Sequence, residues 1–389
     1  MIIAEKPYIS DFLIDSVEKL QIPILKTEEL EKKLAINKNN RKLNIVDDIS
    51  AVRFCSQSDN FMLYTNSESS FDWISKNLSS FDVVENINLF KNKVEFRELI
   101  KTVYPEFFYK KLSYEELFNV DISSFPEKFV IKPNVGFLSL GVHTVKNKSE
   151  WQTTLDKIKS EIHLLDTEYS DVVVNSSDFI VEELISGKEY AVDVYFNKIG
   201  KPVILNIFEH PFLDEDDVSD RIYITSSSII KDNYEQINQL LISIGKEANL
   251  KNFPMHIELR RNLKGFIPIE VNPMRFAGWC TTDVAKYAYD INVYEYYFKQ
   301  KEPDWDYIFN KNDQYFYYFS MAEVPSNIDK KKIKSFNYEL FCRNYSNILE
   351  FRKVDFSCNP VFAVIFGKTD KYSEISNILK LKTCDYVEL

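Results

Sequence analysis

The pattern that decides the fold lies in the stretch Met255-His-Ile-Glu-Leu-Arg-Arg-Asn-Leu-Lys-Gly-Phe-Ile-Pro-Ile-Glu-Val-Asn-Pro-Met-Arg275. Apolar and polar residues alternate on both sides of a turn at residues 263–265, which is typical of a β-hairpin. Glu258 and Glu270 each lie six residues from Lys264. We therefore expect the two carboxylates to face each other across the hairpin.

A third oxygen donor follows on the same face of this hairpin. Asn272 comes two residues after Glu270, and the strand period of two keeps it on the carboxylate side. Two opposed carboxylates repel each other, so the fold needs a positive charge between them. Three hard oxygen donors suit Mg²⁺ that also bridges phosphates. The alternative is a solvent-facing pair of acids, but the neighbours Ile257, Ile269 and Val271 mark the opposite face as core.

Glycine marks the other candidate segments, because five of the eight glycines fall within four short stretches. In the stretch 129–142 a strand ends at Lys132, a loop with Gly136 and Ser139 follows, and a second strand begins at Val142. Such a loop can direct backbone N–H groups and a serine hydroxyl at phosphate oxygens, with the lysine as a point charge. It is not a Walker A loop. The alternative is a plain β-hairpin with a solvated lysine.

The stretch 179–193 reads as two strands on either side of a turn at Ser186-Gly187. A strand edge that passes into a turn offers free N–H and C=O groups, which can hydrogen-bond the edge of an adenine. The alternative is an ordinary strand–turn–strand unit with exposed acids.

Bulk properties exclude several other classes of protein. The 389 residues suffice for two to three domains, and the net charge of −11 without a basic patch argues against nucleic acid as a partner. No stretch approaches a membrane span or a signal peptide. The five scattered cysteines favour reduced thiols in the cytoplasm and argue against a zinc site. The N-terminal region lacks a GxGxxG turn, so we expect no dinucleotide site there.

Taken together and in this order, the three segments resemble the ATP-grasp superfamily. Its pattern is KPxxGxxSxGV, then VEExIxGxEYxVD, then an E…ExNP-R hairpin, and the match spans about residues 91–290. The resemblance implies a mixed α/β and α+β fold, with a Rossmann-like N-terminal domain, a two-subdomain ATP-grasp fold and a small C-terminal α/β extension. The implied divisions are 1–90, 91–185 with the phosphate loop, 186–310 with the metal site, and 311–389.

The resemblance also implies which residues bind ATP. Lys132 would contact the α-phosphate and Lys93 would be the second phosphate-binding lysine, with Gly136 and Ser139 in the phosphate loop. The adenine would meet Glu182 and the backbones of Glu183 and Ile185, and the ribose would meet Glu189.

The metal and the reacting groups follow from the same resemblance. Glu258, Glu270 and Asn272 would hold one or two Mg²⁺, with Mn²⁺ as the alternative ion. Arg275 would stabilise charge on the transferred phosphoryl group and on the acyl phosphate. The chain departs from the family pattern here, because Met274 moves the arginine one place further along than in Asn-Pro-Arg.

The implied activity is that of an ATP-dependent ligase. It would activate a small-molecule carboxylate as an acyl phosphate and join it to an amine such as an amino acid, releasing ADP and phosphate. Neither nucleic acid nor membrane would take part, and a homodimer is compatible with the family. Two alternatives stay open: an ATP-binding sensor without chemistry, and a carboxylase or acyl-transfer subunit that needs a partner chain.

Two further residues are substrate-site candidates. His210 begins a polar segment through residue 228, where many ligases of this kind keep a loop that covers the substrate. Arg221 in that segment is a candidate for binding a substrate carboxylate, and an ordinary solvated loop is the alternative. His256 lies on the carboxylate face of its strand, where it would orient a carboxylate or pack.

Overall fold

The structure is a computed structural model that describes residues 1–36, 41–57, 61–136, 141–168, 175–214, 217, 219–310 and 314–389. Only the backbone is described for residues 162–168 and 175–177. None of the described helices is both long and apolar enough to cross a bilayer.

The N-terminal domain is a parallel sheet with helices packed against it. Its strands are β1 (Ile2–Ile3), β2 (Ile24–Leu25), β3 (Ile45–Val46) and β4 (Tyr64–Thr65), in the spatial order β3-β2-β1-β4. Its helices are α1 (Asp11–Leu20), α2 (Glu28–Ile36), α3 (Asp48–Ser56) and α4 (Phe71–Asn77). All strand pairs in this sheet are parallel, so the predicted Rossmann-like domain is confirmed.

Two helices lead from this domain into a small antiparallel sheet. The helices are α5 (Asp82–Lys91) and α6 (Lys93–Leu99). The sheet has the order β5-β8-β6-β7, built from β5 (Tyr109–Ser113), β6 (Phe129–Val135), β7 (His143–Val145) and β8 (Asn175–Glu183). Helices α7 (Tyr114–Leu117) and α8 (Trp151–Glu168) accompany it. A core of apolar side chains from these strands and helices fills this subdomain.

The second subdomain is built on a large sheet that begins directly after β8. Its first strands are β9 (Lys188–Phe196), β10 (Pro202–His210), β11 (Ile222–Thr225), β12 (Phe253–Asn262) and β13 (Gly265–Pro273). Helix α9 (Ser227–Glu247) packs on β10 and begins at the N-cap Ser226, whose side chain accepts from Ile229 N at 3.1 Å. Gly245 also lets this helix approach the end of β9, since a Cβ there would lie 2.2 Å from the Phe196 ring.

The C-terminal segment continues the same sheet. Short helices α10 (Val284–Tyr289), α11 (Val293–Phe298) and α12 (Trp305–Asn310) lead to β14 (Phe316–Glu323). The remaining elements are β15 (Ser335–Phe336), α13 (Tyr338–Cys342), β16 (Ile348–Lys353), β17 (Val361–Thr369), α14 (Tyr372–Leu379) and β18 (Val387–Glu388).

The resulting sheet has eight strands in the order β13-β12-β9-β10-β11-β14-β17-β16. The predicted C-terminal extension therefore has α/β elements, and three of its strands extend the sheet that carries the hairpin. Strands β15 and β18 form a separate two-stranded sheet.

Candidate active site

The β12–β13 hairpin places its two carboxylates opposite each other, as the sequence predicts. Glu258 pairs with Glu270, and His256 pairs with Asn272. The turn is tighter than predicted, because Asn262 already pairs with Gly265 and only two residues lie between them. A β-bulge after Glu258 then places one additional residue in β13, so that Glu258 pairs with Glu270 and Leu259 with Pro268. The two differences compensate, and the register at the carboxylates is the predicted one.

The bulge changes the surroundings of one residue that the sequence analysis assigned to the core face. Ile257 and Val271 are fully buried in the main core, as predicted. Ile269 is only partly buried and packs instead against a small separate cluster of Phe107, Ile185 and Ile267. The reason is the extra residue in β13, which interrupts the alternation of faces at this point.

Glu258, Glu270 and Asn272 form what we call the acidic hairpin. Burial and the neighbouring Glu270 carboxylate raise the pKa of Glu258 well above its usual range. Burial alone would raise the pKa of Glu270, but nearby lysines, first Lys93, lower it instead. Asn272 Nδ2 donates to Glu258 Oε1 at 3.2 Å, which leaves the amide oxygen for another partner. The surroundings therefore stabilise the charge of Glu270 but not that of Glu258.

His256 is held in place beside this pair by a buried carboxylate. Its Nδ1 atom lies 2.8 Å from Asp193 Oδ1, and its Nε2 atom lies 3.9 Å from Glu258 Oε1. Asp193 also accepts from the backbone N–H of Ala277 at 2.8 Å. One buried acid thus fixes both the histidine and the loop that follows Arg275.

Three buried lysines, Lys91, Lys93 and Lys132, form what we call the lysine cluster. Lys91 and Lys93 both donate to the Gly136 carbonyl, at 3.1 and 3.3 Å. Lys93 Nζ also lies 3.7 Å from Glu270 Oε1, which joins the cluster to the acidic hairpin. Burial lowers the pKa of Lys93 to about 8, and the charge of Glu270 opposes this shift. Lys132 is therefore not the solvated lysine that the alternative of a plain hairpin expects.

The Glu182 carboxylate lies between two cations rather than in solvent. Lys132 Nζ contacts Glu182 Oε1, and Arg97 Nε donates to Oε2 at 2.8 Å. Burial would raise the pKa of Glu182, but Arg97 and Lys132 outweigh burial and lower it to about 2. Arg97 also donates to the Pro268 carbonyl in the bulge at 2.7 Å, so it links the two subdomains.

The turn between the two sheets brings together two of the predicted nucleotide contacts, Ile185 for the adenine and Glu189 for the ribose. Arg260 donates to Glu189 at 3.0 Å and to the Ile185 carbonyl at 2.8 Å. The Ile185 N–H has no backbone partner within the described ranges, so it remains available as a donor. Gly187 is required here, because it has φ +113° and a Cβ would lie 2.1 Å from the Arg261 carbonyl oxygen.

Arg275 lies at the other end of the site, beside the N-terminal domain. Met274 adopts a left-handed backbone with φ 63°, which turns the chain immediately before the arginine. Arg275 Nη1 donates to the Phe276 carbonyl at 3.1 Å, and Nη2 lies 3.6 Å from Glu68 Oε1. The extra residue relative to Asn-Pro-Arg is thus absorbed by a strained turn.

Four predicted residues remain, namely Ser139, Glu183, Arg221 and His210. Ser139 lies outside the described residues. Glu183 donates its backbone N–H to the Phe108 carbonyl at 3.0 Å. Arg221 donates to the Leu379 carbonyl at 3.1 Å, so it ties the segment 209–228 to the C-terminal elements. His210 lies 3.2 Å from Glu189 and stacks on Tyr223.

Sequence reasoning missed several charged residues that complete the site. They are Glu68, Lys91, Arg97, Asp193 and Arg260. Arg97 could have been found, because it follows Lys93 by four residues on one helix face. Glu68 gives no local signal, since only the tertiary fold brings it to Lys91 and Arg275.

The donor set of the acidic hairpin fits Mg²⁺. Across the described ranges no three His, Cys, Asp or Glu side chains converge to complete a metal site. Two carboxylates and one amide do converge, and Mg²⁺ takes its remaining ligands from water and phosphate oxygens. Such an ion would stabilise the ionised form of Glu258, which burial and the Glu270 charge disfavour.

Comparisons with known proteins agree with this geometry. A sequence model of the ATP-grasp domain matches residues 125–283. This part of the chain is therefore an ATP-grasp domain, and the resemblance drawn from the three segments is confirmed. A search of curated protein sequences finds no match.

Solved structures share the fold over the whole chain. An L-amino acid ligase from Bacillus licheniformis has a TM-score of 0.69 at 13% identity, covering 100% of this chain and 97% of that one. A biotin carboxylase from Campylobacter jejuni has a TM-score of 0.66 at 11% identity, with coverages of 100% and 91%. A phosphoribosylglycinamide synthetase from Anaerococcus prevotii has a TM-score of 0.59 at 14% identity, with coverages of 100% and 98%.

Proposed function

We propose that this chain is an ATP-dependent, ADP-forming ligase that joins a carboxylate to an amine. The observation that carries the proposal is the contact between the lysine cluster and the acidic hairpin, where Lys93 lies 3.7 Å from Glu270. Cations for phosphate oxygens and oxygen donors for a metal thus meet at one place. This is the arrangement that phosphoryl transfer needs, because its catalysis is mostly positioning and charge stabilisation.

The reaction begins with a carboxylate, which is a poor electrophile until one of its oxygens becomes a leaving group. The lysine cluster binds the phosphates of ATP, and two of its members, Lys91 and Lys93, donate to the Gly136 carbonyl. The substrate carboxylate attacks the γ-phosphorus, the bond to the β-phosphate oxygen breaks, and ADP leaves. Arg275 stabilises the charge of the transferred phosphoryl group.

The amine then attacks the acyl carbon of the acyl phosphate, and inorganic phosphate leaves as the new bond forms. Glu258, Glu270 and Asn272 would hold Mg²⁺, which supplies charge neutralisation at the phosphate oxygens when bound. Asp193 and His256 keep Glu258 oriented, since the His256 ring lies between the carboxylates of Asp193 and Glu258.

The choice of a carboxylate and an amine as substrates is supported by the fold shared with an L-amino acid ligase and a phosphoribosylglycinamide synthetase. The sensor alternative loses support, because Glu258, Glu270 and Asn272 are all present at one hairpin. The carboxylase alternative keeps the biotin carboxylase fold in its favour.

A phosphate-release screen tests the proposal. The purified protein would be incubated with Mg·ATP and the twenty amino acids, singly and in pairs, and phosphate and ADP would be measured. We expect at least one pair to release phosphate well above the rate of either member alone. Nucleotide binding without turnover on any acid would favour a sensor, and turnover that requires bicarbonate would favour a carboxylase.

A further inference from the structure

Glu68 is a buried carboxylate of the N-terminal domain that lies where three parts of the protein meet. It begins a 3-10 helix (Glu68–Ser70) just after β4, and 6% of its surface is exposed. Its Oε2 atom accepts from Lys91 Nζ at 2.5 Å. The same ammonium group donates to the Gly136 carbonyl, so Lys91 connects Glu68 to the start of the phosphate loop.

The second oxygen of Glu68 is left for Arg275. Within the described part of the chain Oε1 accepts no hydrogen bond, although it is buried. Its neighbouring cation is Arg275, with Nη2 at 3.6 Å, which is an ion pair but too long for a hydrogen bond. The guanidinium is therefore attracted to Glu68 without being saturated by it. Arg275 keeps N–H donors for an incoming anion.

The backbone on both sides of Arg275 is held by the same part of the N-terminal domain. Thr65 N donates to the Met274 carbonyl at 2.9 Å. The Tyr64 ring packs on Phe276 with their centroids 5.2 Å apart. Residues 64–68 thus fix the strained turn and the arginine side chain together, which indicates more than an isolated ion pair.

We propose that Glu68 is a positioning residue that keeps Arg275 and Lys91 directed at the terminal phosphoryl group of ATP. The inference rests on the proposed function, because it takes Arg275 to meet that group. Without the Glu68 charge, Lys91, Lys93 and Arg275 repel one another in a site of low dielectric constant. A triphosphate then loses more affinity than a diphosphate, since only the triphosphate reaches Arg275.

The experiment compares two nucleotides in three proteins by calorimetry. The ligands are Mg·ADP and the magnesium complex of the non-hydrolysable ATP analogue with nitrogen between the β- and γ-phosphorus. The proteins are wild type, Glu68→Gln and the matched control Glu295→Gln. Glu295 pairs with three lysines at the protein surface, Lys19 at 3.5 Å, Lys299 at 3.2 Å and Lys301 at 2.6 Å.

In Glu68→Gln we expect the Kd for Mg·ADP to stay within about threefold of wild type and the Kd for the ATP analogue to rise about tenfold or more. Glu295→Gln should change neither. If Glu68→Gln does not fold, Glu68→Asp tests the same device, because it keeps the negative charge but shortens the side chain by one methylene group, and it should give a smaller loss that is again selective for the ATP analogue.

Other results would overturn the positioning role. Equal losses for both nucleotides would make Glu68 a structural residue, and unchanged or tighter binding of the analogue would show that it does not direct Arg275. Failure of the wild-type protein to bind either nucleotide would overturn the proposed function itself, and this inference with it.

Discussion

The acidic hairpin and the lysine cluster face each other across the site, yet they are stabilised in different ways. The acidic hairpin brings two carboxylates together with Lys93 beside Glu270, and burial together with the Glu270 charge raises the pKa of Glu258. The lysine cluster carries its own counter-ions, because Lys91 pairs with Glu68 and Lys132 pairs with Glu182. Glu258 in the acidic hairpin therefore lacks a cation of its own, whereas Lys91 and Lys132 in the lysine cluster already have carboxylate partners.

This difference indicates how a metal ion would bind the acidic hairpin and how phosphate oxygens would bind the lysine cluster. A metal ion adds to the acidic hairpin and relieves repulsion that exists without it. Phosphate oxygens must instead compete with Glu68 and Glu182 for lysines that are already paired, and the carboxylates then remain as neighbours of the bound anion. Metal binding should thus depend on the charge of the hairpin, and nucleotide binding on the exchange of ion pairs.

The largest effect should come from Glu270→Gln, which removes one carboxylate of the acidic hairpin without changing its volume. We expect turnover to fall more than about 100-fold, since losing an outer partner of a metal ligand alone costs about 10–100-fold. The fold should survive, because the side chain faces the site and not the core. ADP formation in a folded protein is the measurement.

The exposed acid Glu339 gives a matched control for this charge removal, because its ion-pair partner among the described residues is Arg343 on the surface. Glu339→Gln should leave turnover unchanged. Near-normal ATP consumption by a folded Glu270→Gln variant would contradict the assignment of the hairpin as a metal site.

The next effect concerns stability and the counter-ions of the lysine cluster. Glu182→Gln leaves Arg97 and Lys132 buried without their anion, which should lower the free energy of unfolding by about 3–5 kcal/mol at pH 7. Denaturant titration checks this value. A change below 1 kcal/mol would mean that the cations find other partners.

The same variant carries a pH dependence with a definite sign. Because the pKa of Glu182 is lowered from 4.5 to about 2, its ionised form stabilises the fold above pH 4.5 and this contribution is lost as the pH falls toward 2. The difference between wild type and Glu182→Gln should therefore narrow by about 1 kcal/mol between pH 7 and pH 4. A difference that widens on acidification would contradict the assigned ion pairs.

A smaller effect should follow from Lys132→Met, which removes one ammonium group from the lysine cluster but leaves Arg97 beside Glu182. We expect ATP affinity to fall about tenfold to 100-fold, the range for a lost hydrogen bond to a charged group. Lys128→Met, at an exposed lysine just before the same strand, is the matched control. Unchanged ATP affinity in Lys132→Met, measured by calorimetry, would make the phosphate loop a structural hairpin.

The two sides of the site also differ in how far the sequence predicts them. The acidic hairpin lies within about twenty consecutive residues, so alternation and one turn suffice to pair Glu258 with Glu270. Even there the predicted pairing is correct only because two unpredicted features offset each other. The turn is one residue shorter than predicted, and the bulge at Pro268 and Ile269 adds one residue to β13. Local patterns specify pairing well and irregularities poorly.

The counter-ions of the lysine cluster come from distant parts of the chain. Glu68 precedes Lys91 by 23 residues, and Arg97 meets Glu182 across 85 residues. No periodicity connects such residues, since their contact depends on how domains pack. The N-terminal Rossmann-like domain could be expected from the resemblance to the ATP-grasp superfamily, but its contribution of Glu68 to the site could not.

The measurement that tests the central claim most directly is the fate of the nucleotide when the acyl intermediate is trapped. The protein would be incubated with Mg·ATP, the amino acids that release phosphate, and hydroxylamine in place of the amine. We predict that ADP forms in equal amount with an acyl hydroxamate, because the carboxylate attacks the γ-phosphorus. Stoichiometric AMP and pyrophosphate would instead show attack at the α-phosphorus and contradict the account.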